Sequence, residues 1–387
     1  MTRRDAFQNL LAWMAGSPLA RAQRQDLAYV AERLPALEEL VNVFEFEPVA
    51  RKKLDRGSYD YLAGGADDEW TLRRNREAFD HLTLRPRFLV DVSRLDLSVE
   101  LFGQRVAMPV LVCPMGGHQR AHPDGELATA RGAGAAQTIM AVSTNSSYTI
   151  DQIAGTATGP LWFQLYAGPD VDRTREKVER AVANGCKAVC WTLDLPHAPQ
   201  RERNLRNGID MLRSPAVAAG RRAAREAPPY RLQTLYQPEL TWSYLEEMVS
   251  YAKVPVLLKG ILTAEDARLA AERGAAGVIV SNHGGRALDT APATIEVLPE
   301  IVDAVGGKIP VLVDGGFRRG TEILMALAIG AKAVMVGRPV MWGLAAYGQP
   351  GVQRVLELLQ TELARAMGQA GRPTVASIDR SLVRIER

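Results

Sequence analysis

The chain is short of cysteine, of excess charge and of long apolar runs, and each shortage removes a class of function. Its 387 residues include three cysteines, Cys113, Cys186 and Cys190. They make no disulfide framework, and no paired CxxC pattern marks a metal site. Cys186 and Cys190 flank a helix-to-strand turn, where small thiols serve as packing. The net charge of +3 is too small to attract a nucleic acid, and no RNP, zinc-finger or helix-turn-helix pattern accompanies it. No stretch approaches the roughly 20 apolar residues a membrane span requires. No GxGxxG follows an early strand, which weighs against a doubly wound dinucleotide fold.

What is there is an ordinary globular balance, 47% hydrophobic and 24% charged. The length suits a barrel of alternating strands and helices. At the N-terminus, Arg3 and Arg4 precede a mildly apolar Leu10–Ala20 stretch and the small-residue site Ala20-Arg21-Ala22. That outlines a twin-arginine export signal over 1–22. Gln8 and Asn9 interrupt it, so the reading adopted is an amphipathic helix on a cytoplasmic protein, with export as the alternative.

Eight short apolar runs bounded by glycine, proline or polar residues predict strands at 109–114, 138–143, 161–166, 188–194, 255–260, 277–282, 310–315 and 333–338. Most are apolar throughout, as strands buried on both faces are. Helical spacing fills 125–136, 172–185, 263–274 and 319–330. Thr263 and Thr321 stand at capping positions, and Gly274 and Gly330 close those helices. The alternation predicts an α/β fold, a (β/α)8 TIM barrel over 106–387. A helical segment over 41–105 leads into it, and an extension over 1–40 comes first. The connection 195–253 after the fourth strand is long enough to be a lid. Within it Arg213, Arg221, Arg222, Arg225 and Arg231 outweigh Asp210 and Glu226. A solvated mobile loop is preferred there to a membrane or redox-partner contact.

Polar residues gather where such barrels place their chemistry, at the C-terminal ends of strands. The third run ends in Gln164 and Tyr166, the fourth in Thr192 and Asp194, and the fifth in Lys259. The sixth ends in Ser281-Asn282-His283-Gly284-Gly285-Arg286, the seventh in Asp314-Gly315-Gly316, and the eighth in Gly337-Arg338. Unpaired buried charge is costly, so packing alone does not explain this row. The DGGFRRG and GRP loops suit a phosphate, with Arg318 and Arg338 nearby and Asp314 placed to accept from sugar hydroxyls. Lys259 can set a positive charge against an electron-accepting ring. His283 is the natural proton acceptor, with Asp194 to orient it. Arg286 and Arg201 are forks for a carboxylate, and Tyr166 adds a phenol. His118 is a weaker candidate for the pocket mouth.

With these residues in place, the chain resembles the FMN-dependent 2-hydroxy-acid oxidases and dehydrogenases, the family of glycolate oxidase, lactate oxidase and mandelate dehydrogenase. SNHGGRALD (281–289) carries the resemblance most specifically. YDYLAGGADDEWTLRRN (59–75), RPRFLVDVS (85–93), FQLY (163–166), LVDGGFRRG (312–320) and VGRP (336–339) follow in the family's order, from about Val43 to about Thr361. The resemblance implies FMN as cofactor and a small (S)-2-hydroxy acid as substrate. Tyr61, Arg201 and Arg286 would hold the carboxylate, Tyr166 the hydroxyl, and His283 would take a proton with Asp194 behind it. The family's carbanion and hydride accounts both use that histidine. Pro114, Met115 and Gly116 would lie along the flavin ring, with Ser143, Gln164, Thr192, Lys259 and Ser281 around it. Asp314, Gly315, Gly316, Arg318, Gly337 and Arg338 would meet the ribityl and phosphate groups.

Three departures bear on substrate and acceptor. Asn145 and Ala198 replace larger residues of glycolate oxidase, which implies a pocket for lactate or bulkier acids. Gly116 stands where many oxidases carry alanine and some dehydrogenases glycine, so a quinone or cytochrome acceptor is an alternative to oxygen. A homotetramer is the family's habit. A phosphate-binding barrel isomerase and a non-catalytic FMN protein are the remote alternatives.

Overall fold

The structure is a computed structural model that describes residues 33–168, 170–208 and 240–386. The signal-like stretch 1–22 and the arginine cluster 213–231 lie outside the described residues.

Among the described residues, three short α-helices precede the barrel: α1 (Phe46–Lys53), α2 (Arg56–Ala63) and α3 (Trp70–Glu77). Asp55 starts α2 by accepting the Ser58 N–H at 2.9 Å. The start of α3 is satisfied from far along the chain. Asp289 accepts the N–H groups of Trp70 and Thr71 at 3.1 and 2.8 Å. β1 (Leu82–Leu84) then waits for a partner at the other end of the chain, and β2 (Val99–Leu101) and β3 (Gln104–Val106) form a hairpin.

Eight parallel strands close the barrel in chain order. They are β4 (Val110–Val112), β5 (Met140–Ser143), β6 (Leu161–Leu165), β7 (Val189–Thr192), β8 (Val256–Ile261), β9 (Gly277–Val280), β10 (Val311–Asp314) and β11 (Ala333–Val336). β12 (Val383–Ile385) pairs with β1 outside it. Seven of the predicted runs contain one of the eight, trimmed where the chain bends into a loop, and β8 runs one residue past its predicted end at 260. The predicted helices appear as α4 (Gly125–Ala135), α6 (Val171–Ala183), α9 (Ala264–Glu272) and α11 (Gly320–Ile329). The structure adds α5 (Ile150–Thr156), α7 (Glu202–Arg206), α8 (Trp242–Ala252), α10 (Thr294–Val305) and α12 (Arg338–Gln369), which breaks at Tyr347–Gly348.

Two expectations need correction. Thr263 caps α9, accepting from Asp266 at 3.2 Å, but Thr321 lies inside α11. There Glu362 accepts the Gly320 N–H at 2.9 Å and Glu322 the Arg319 N–H at 3.1 Å, so carboxylates do the threonine's task. The connection 195–253 is also not all loop. Its end is α8, whose Tyr244, Leu245, Met248 and Tyr251 are buried at helical spacing. The aromatic residues with polar tips hid that apolar face.

The strands alternate between two cores. Val110, Val112, Met140, Val142, Phe163, Val189 and Leu258 face the helices. Leu111, Ile139, Ala141, Trp162, Cys190, Leu257, Ile279, Leu312 and Met335 fill the interior. Val99, Leu101 and Val106 of the hairpin join that interior core, and Phe102 packs on Trp162 with ring centroids 5.7 Å apart. The hairpin thus plugs the barrel at its N-terminal end.

Candidate active site

Continuing the inward-facing row of every strand by one step reaches a polar layer. Leu111 leads to Cys113, Ala141 to Ser143, Trp162 to Gln164 and Cys190 to Thr192. Leu257 leads to Lys259, Ile279 to Ser281, Leu312 to Asp314 and Met335 to Gly337. The barrel's period of two therefore selects the site. Six of these eight are predicted from strand ends, and Ser143 from the family resemblance. Cys113 was missed because a cysteine after four apolar residues reads as packing, although strand parity would have found it.

The layer is tightly bonded. Lys259 Nζ donates to Ser281 Oγ at 2.7 Å and lies 3.3 Å from Asp314 Oδ2 and 3.9 Å from Asp194 Oδ2. Ser281 Oγ donates to Asp314 Oδ2 at 3.0 Å, and Cys113 Sγ to the same oxygen at 3.4 Å. Ser143 Oγ donates to Gln164 Oε1 at 2.8 Å, and Gln164 Nε2 to Thr192 Oγ1 at 2.9 Å. Burial opposes the Lys259 charge, but Asp314 and Asp194 outweigh it and hold the lysine above its ordinary value. Gln164, Thr192 and Ser281 stand behind the cleft wall rather than on it.

One layer higher stands His283, the candidate base. His283 Nδ1 lies 2.8 Å from Asp194 Oδ1. His283, Gly284 and Gly285 all have positive φ, at 57°, 65° and 73°, so the chain turns sharply and lifts the imidazole over the barrel mouth. The turn is fixed by the His283 N–H, which donates to Ser281 Oγ at 3.1 Å. Burial lowers the His283 pKa and Lys259 adds to this, while Asp194 opposes; the net value is below that of ordinary histidine. Burial raises Asp194, but His283 and Lys259 outweigh it and keep the carboxylate ionised. An ionised Asp194 accepts the Nδ1 proton, which leaves Nε2 as the basic nitrogen.

Tyr61, Tyr166, Arg201 and Arg286 line the same cleft. The two arginines are also tied to the backbone. Arg286 Nη1 donates to the carbonyls of Tyr61 and Gly64, each at 2.7 Å, and Arg201 donates through Nε and Nη2 to the carbonyl of Arg286. Arg338 is anchored more heavily than a simple phosphate contact requires. Its Nε, Nη1 and Nη2 donate to Leu62, Gly284 and Gly64 at 3.0, 2.9 and 2.9 Å. Tyr61 carries guanidiniums from Arg120 and Arg286 at 4.5 and 5.2 Å from its ring centre. Arg120 was not foreseen. His118 does not reach the pocket mouth: it is fully buried, with Nδ1 2.9 Å from Thr129 Oγ1.

The cleft fits a phosphate-anchored cofactor. Asp314 Oδ1 is buried without a hydrogen-bond partner among the described residues, the acceptor expected for a ribityl hydroxyl. Gly315 and Gly316 have φ of 102° and 88°, backbone that glycine favours, and Arg318 follows. Burial first, then neighbouring guanidiniums, pushes Arg318 down to about 9, and burial with the Arg201 charge pushes Arg338 down to about 10. Arginine stays protonated, so this strain acts as affinity for an anion. Gly116 has a steric reason of its own. A Cβ there would lie 3.0 Å from the Asn145 carbonyl oxygen and 3.1 Å from Asn145 Cβ.

Comparison with known proteins places the chain in a family. The family model for FMN-dependent dehydrogenases matches residues 50–385, reaching beyond the Thr361 limit inferred from motifs. The peroxisomal (S)-2-hydroxy-acid oxidase GLO4 of Oryza sativa is 46% identical over 89% of this chain and 96% of its own. The L-lactate oxidase of Nostoc sp. is 45% identical over 91% of this chain and 100% of its own. A crystal structure of mandelate oxidase with (S)-2-phenylpropionate superposes with a TM-score of 0.80 at 41% identity, covering 90% of this chain and 99% of that one. The chain belongs to the FMN-dependent dehydrogenase family, and its cofactor is FMN.

Proposed function

We propose that this enzyme oxidises small (S)-2-hydroxy acids to 2-oxo acids, with His283 as proton acceptor. The observation that carries this reading is the 2.8 Å contact between His283 Nδ1 and Asp194 Oδ1 at a cleft lined by Tyr61, Tyr166, Arg201 and Arg286. The activities for which the relatives are named, on (S)-2-hydroxy acids, L-lactate and mandelate, supply the substrate class.

FMN, when bound, takes the two electrons that leave the substrate carbon. Pro114, Met115, Gly116 and Ser143 would border its ring, with Gln164, Thr192, Lys259 and Ser281 beneath. Asp314, Gly315, Gly316, Arg318, Gly337 and Arg338 would hold its ribityl phosphate. Tyr61, Arg201 and Arg286 hold the substrate carboxylate, and Tyr166 orients the hydroxyl. His283, neutral near pH 7, takes one substrate proton at Nε2, and Asp194 stabilises the imidazolium that results.

Asn145 and the small Ala198 leave room for lactate or bulkier side chains. Oxygen is the acceptor, in line with the oxidase relatives. A quinone or cytochrome acceptor rests on Gly116 and on the arginine cluster 213–231, which lies outside the described residues, and the Asn145 contact gives that glycine another purpose. Among the described residues no helix is long and apolar enough to cross a membrane. We place the enzyme in the cytoplasm as a homotetramer; Phe88, Leu89 and Val90, 78%, 106% and 38% exposed, offer a surface for assembly.

Glycolate, L-lactate and (S)-mandelate added anaerobically to the purified protein should bleach the flavin absorbance. No bleaching by any of them would sink the reading. Colour returning promptly on admission of oxygen marks an oxidase; colour returning only with an added quinone or cytochrome marks a dehydrogenase.

A further inference from the structure

Asn282, immediately before the base, is 1% exposed, and Asn75 of α3 is 2% exposed. The two side chains face each other. Asn75 Nδ2 donates to Asn282 Oδ1 at 2.9 Å, and Asn282 Nδ2 returns a bond to Asn75 Oδ1 at 2.8 Å. Amide orientation is an assignment, yet here the surroundings dictate it. Asn282 Nδ2 also donates to the Pro292 carbonyl at 3.0 Å, and Asn282 Oδ1 accepts the Gly285 N–H at 3.2 Å. Flipping Asn282 would set oxygen against a carbonyl and an NH2 against an N–H. Asn75 must therefore present its NH2 to Asn282 Oδ1.

Asn75 meets a second turn as well. Its Oδ1 accepts the Thr294 N–H at 3.4 Å, and Thr294 Oγ1 donates to the Asp314 carbonyl. A Cβ on Gly315 would lie 3.3 Å from Asn75 Oδ1, and one on Gly316 would lie 2.1 Å from the Asn75 carbonyl oxygen. Asn75 thus meets the turn that carries His283 through its carboxamide, and the glycine turn after β10 through Oδ1 beside Gly315, through Thr294, and through its main-chain carbonyl against Gly316. A buried amide set of this kind has no slack, because each unpaired member costs the desolvation of its group.

We propose that Asn75 is a positioning residue that holds the His283 turn and the Gly315–Gly316 turn in register, so that proton acceptor and FMN are set by one side chain. The proposal rests on the assignment of His283 as base and of the glycine turn to FMN. Asn75→Ala removes the side-chain donor to Asn282 Oδ1, leaving it the Gly285 N–H alone, and takes the Oδ1 acceptor away from Asn282 Nδ2 and the Thr294 N–H, so both turns lose their shared side-chain tie. FMN dissociation, followed by flavin fluorescence, should weaken about tenfold. At saturating FMN, kcat should fall about tenfold with KM changed less, because substrate contacts are untouched. The acidic limb of the kcat profile should also move as the His283–Asp194 contact loosens.

Arg74→Gln is the control, since it removes a partly exposed pair with Glu296 on the same helix and should leave FMN affinity unchanged. Asn75→Asp keeps the shape but sets an oxygen against Asn282 Oδ1; the buried carboxyl should resist ionisation and regain the donor when protonated. Its FMN affinity, relative to the unmodified enzyme at the same pH, should therefore recover as pH is lowered. This measurement serves even if Asn75→Ala fails to fold. Unchanged FMN affinity and pH profile in Asn75→Ala with a lower Tm, an equal loss in Arg74→Gln, or no acid recovery in Asn75→Asp would each overturn the proposal. Failure of every 2-hydroxy acid to bleach the unmodified enzyme would instead strike the substrate reading and leave the FMN measurements standing.

Discussion

Asp194 meets His283 through one oxygen only: Oδ1 lies 2.8 Å from Nδ1, while Oδ2 has no hydrogen-bond partner among the described residues and faces Lys259 Nζ at 3.9 Å. The carboxylate therefore orients the imidazole and raises its basicity, while the lysine keeps the carboxylate ionised.

Asp194→Asn tests that division of labour. Asp194 is the group that raises the His283 pKa, so its removal should lower that pKa further. In the proposed mechanism the active form is neutral His283, whose rate is lost as pH falls through its pKa. The acidic limb of kcat should accordingly shift to lower pH while the plateau drops about 10²–10⁴-fold. Stopped-flow flavin reduction across pH measures both; an unmoved limb refutes the coupling.

Lys259→Met removes the one ammonium between two buried carboxylates. Asp314 and Asp194 would be left without their cation, at a cost of about 3–5 kcal/mol. The protein should lose its flavin during purification and melt at a markedly lower Tm. A yellow, stable Lys259→Met enzyme would remove the lysine from the cofactor site.

Gly260→Ala reaches the base from behind. Gly260 has φ of 110°, in a register shift between Lys259 and Ile261, and a Cβ there would lie 2.8 Å from Asp194 Cβ. The methyl group must displace Asp194, and overpacking of this kind costs about 1–3 kcal/mol. Flavin should stay bound while kcat falls and its acidic limb moves in the same direction as in Asp194→Asn. Thermal melts and pH profiles of the two variants make the comparison.

Asn145→Trp narrows the pocket at the residue packed against Gly116. The kcat/KM for mandelate should fall about 10–100-fold relative to that for glycolate, the range steric discrimination reaches in an enzyme pocket. Equal loss for both acids would move the side-chain pocket away from Asn145.

The barrel was legible because its strands are short apolar runs and its ligands sit at strand ends, as His283, Lys259 and Asp314 do. Their grouping was legible too, since a parallel barrel brings all C-terminal strand ends to one mouth. Contacts between distant segments were not. Asn75 reads as one polar residue in a charged helix, and its pairing with Asn282 is created by docking of α3. Arg338 was read as a phosphate ligand; its three bonds to backbone carbonyls exist because the loops of α2 and His283 converge on it. Likewise Thr321 lost its capping place to Glu322 and Glu362, which sequence spacing cannot rank against it.

The hairpin plug has a kinetic consequence. With Phe102 packed on Trp162 and Val99, Leu101 and Val106 in the interior core, the described residues fill the base of the barrel. Every molecule that visits the flavin must come and go by the same mouth. The oxidised product and the incoming electron acceptor then compete for one doorway, so the order in which they pass decides whether the reduced enzyme waits or turns over.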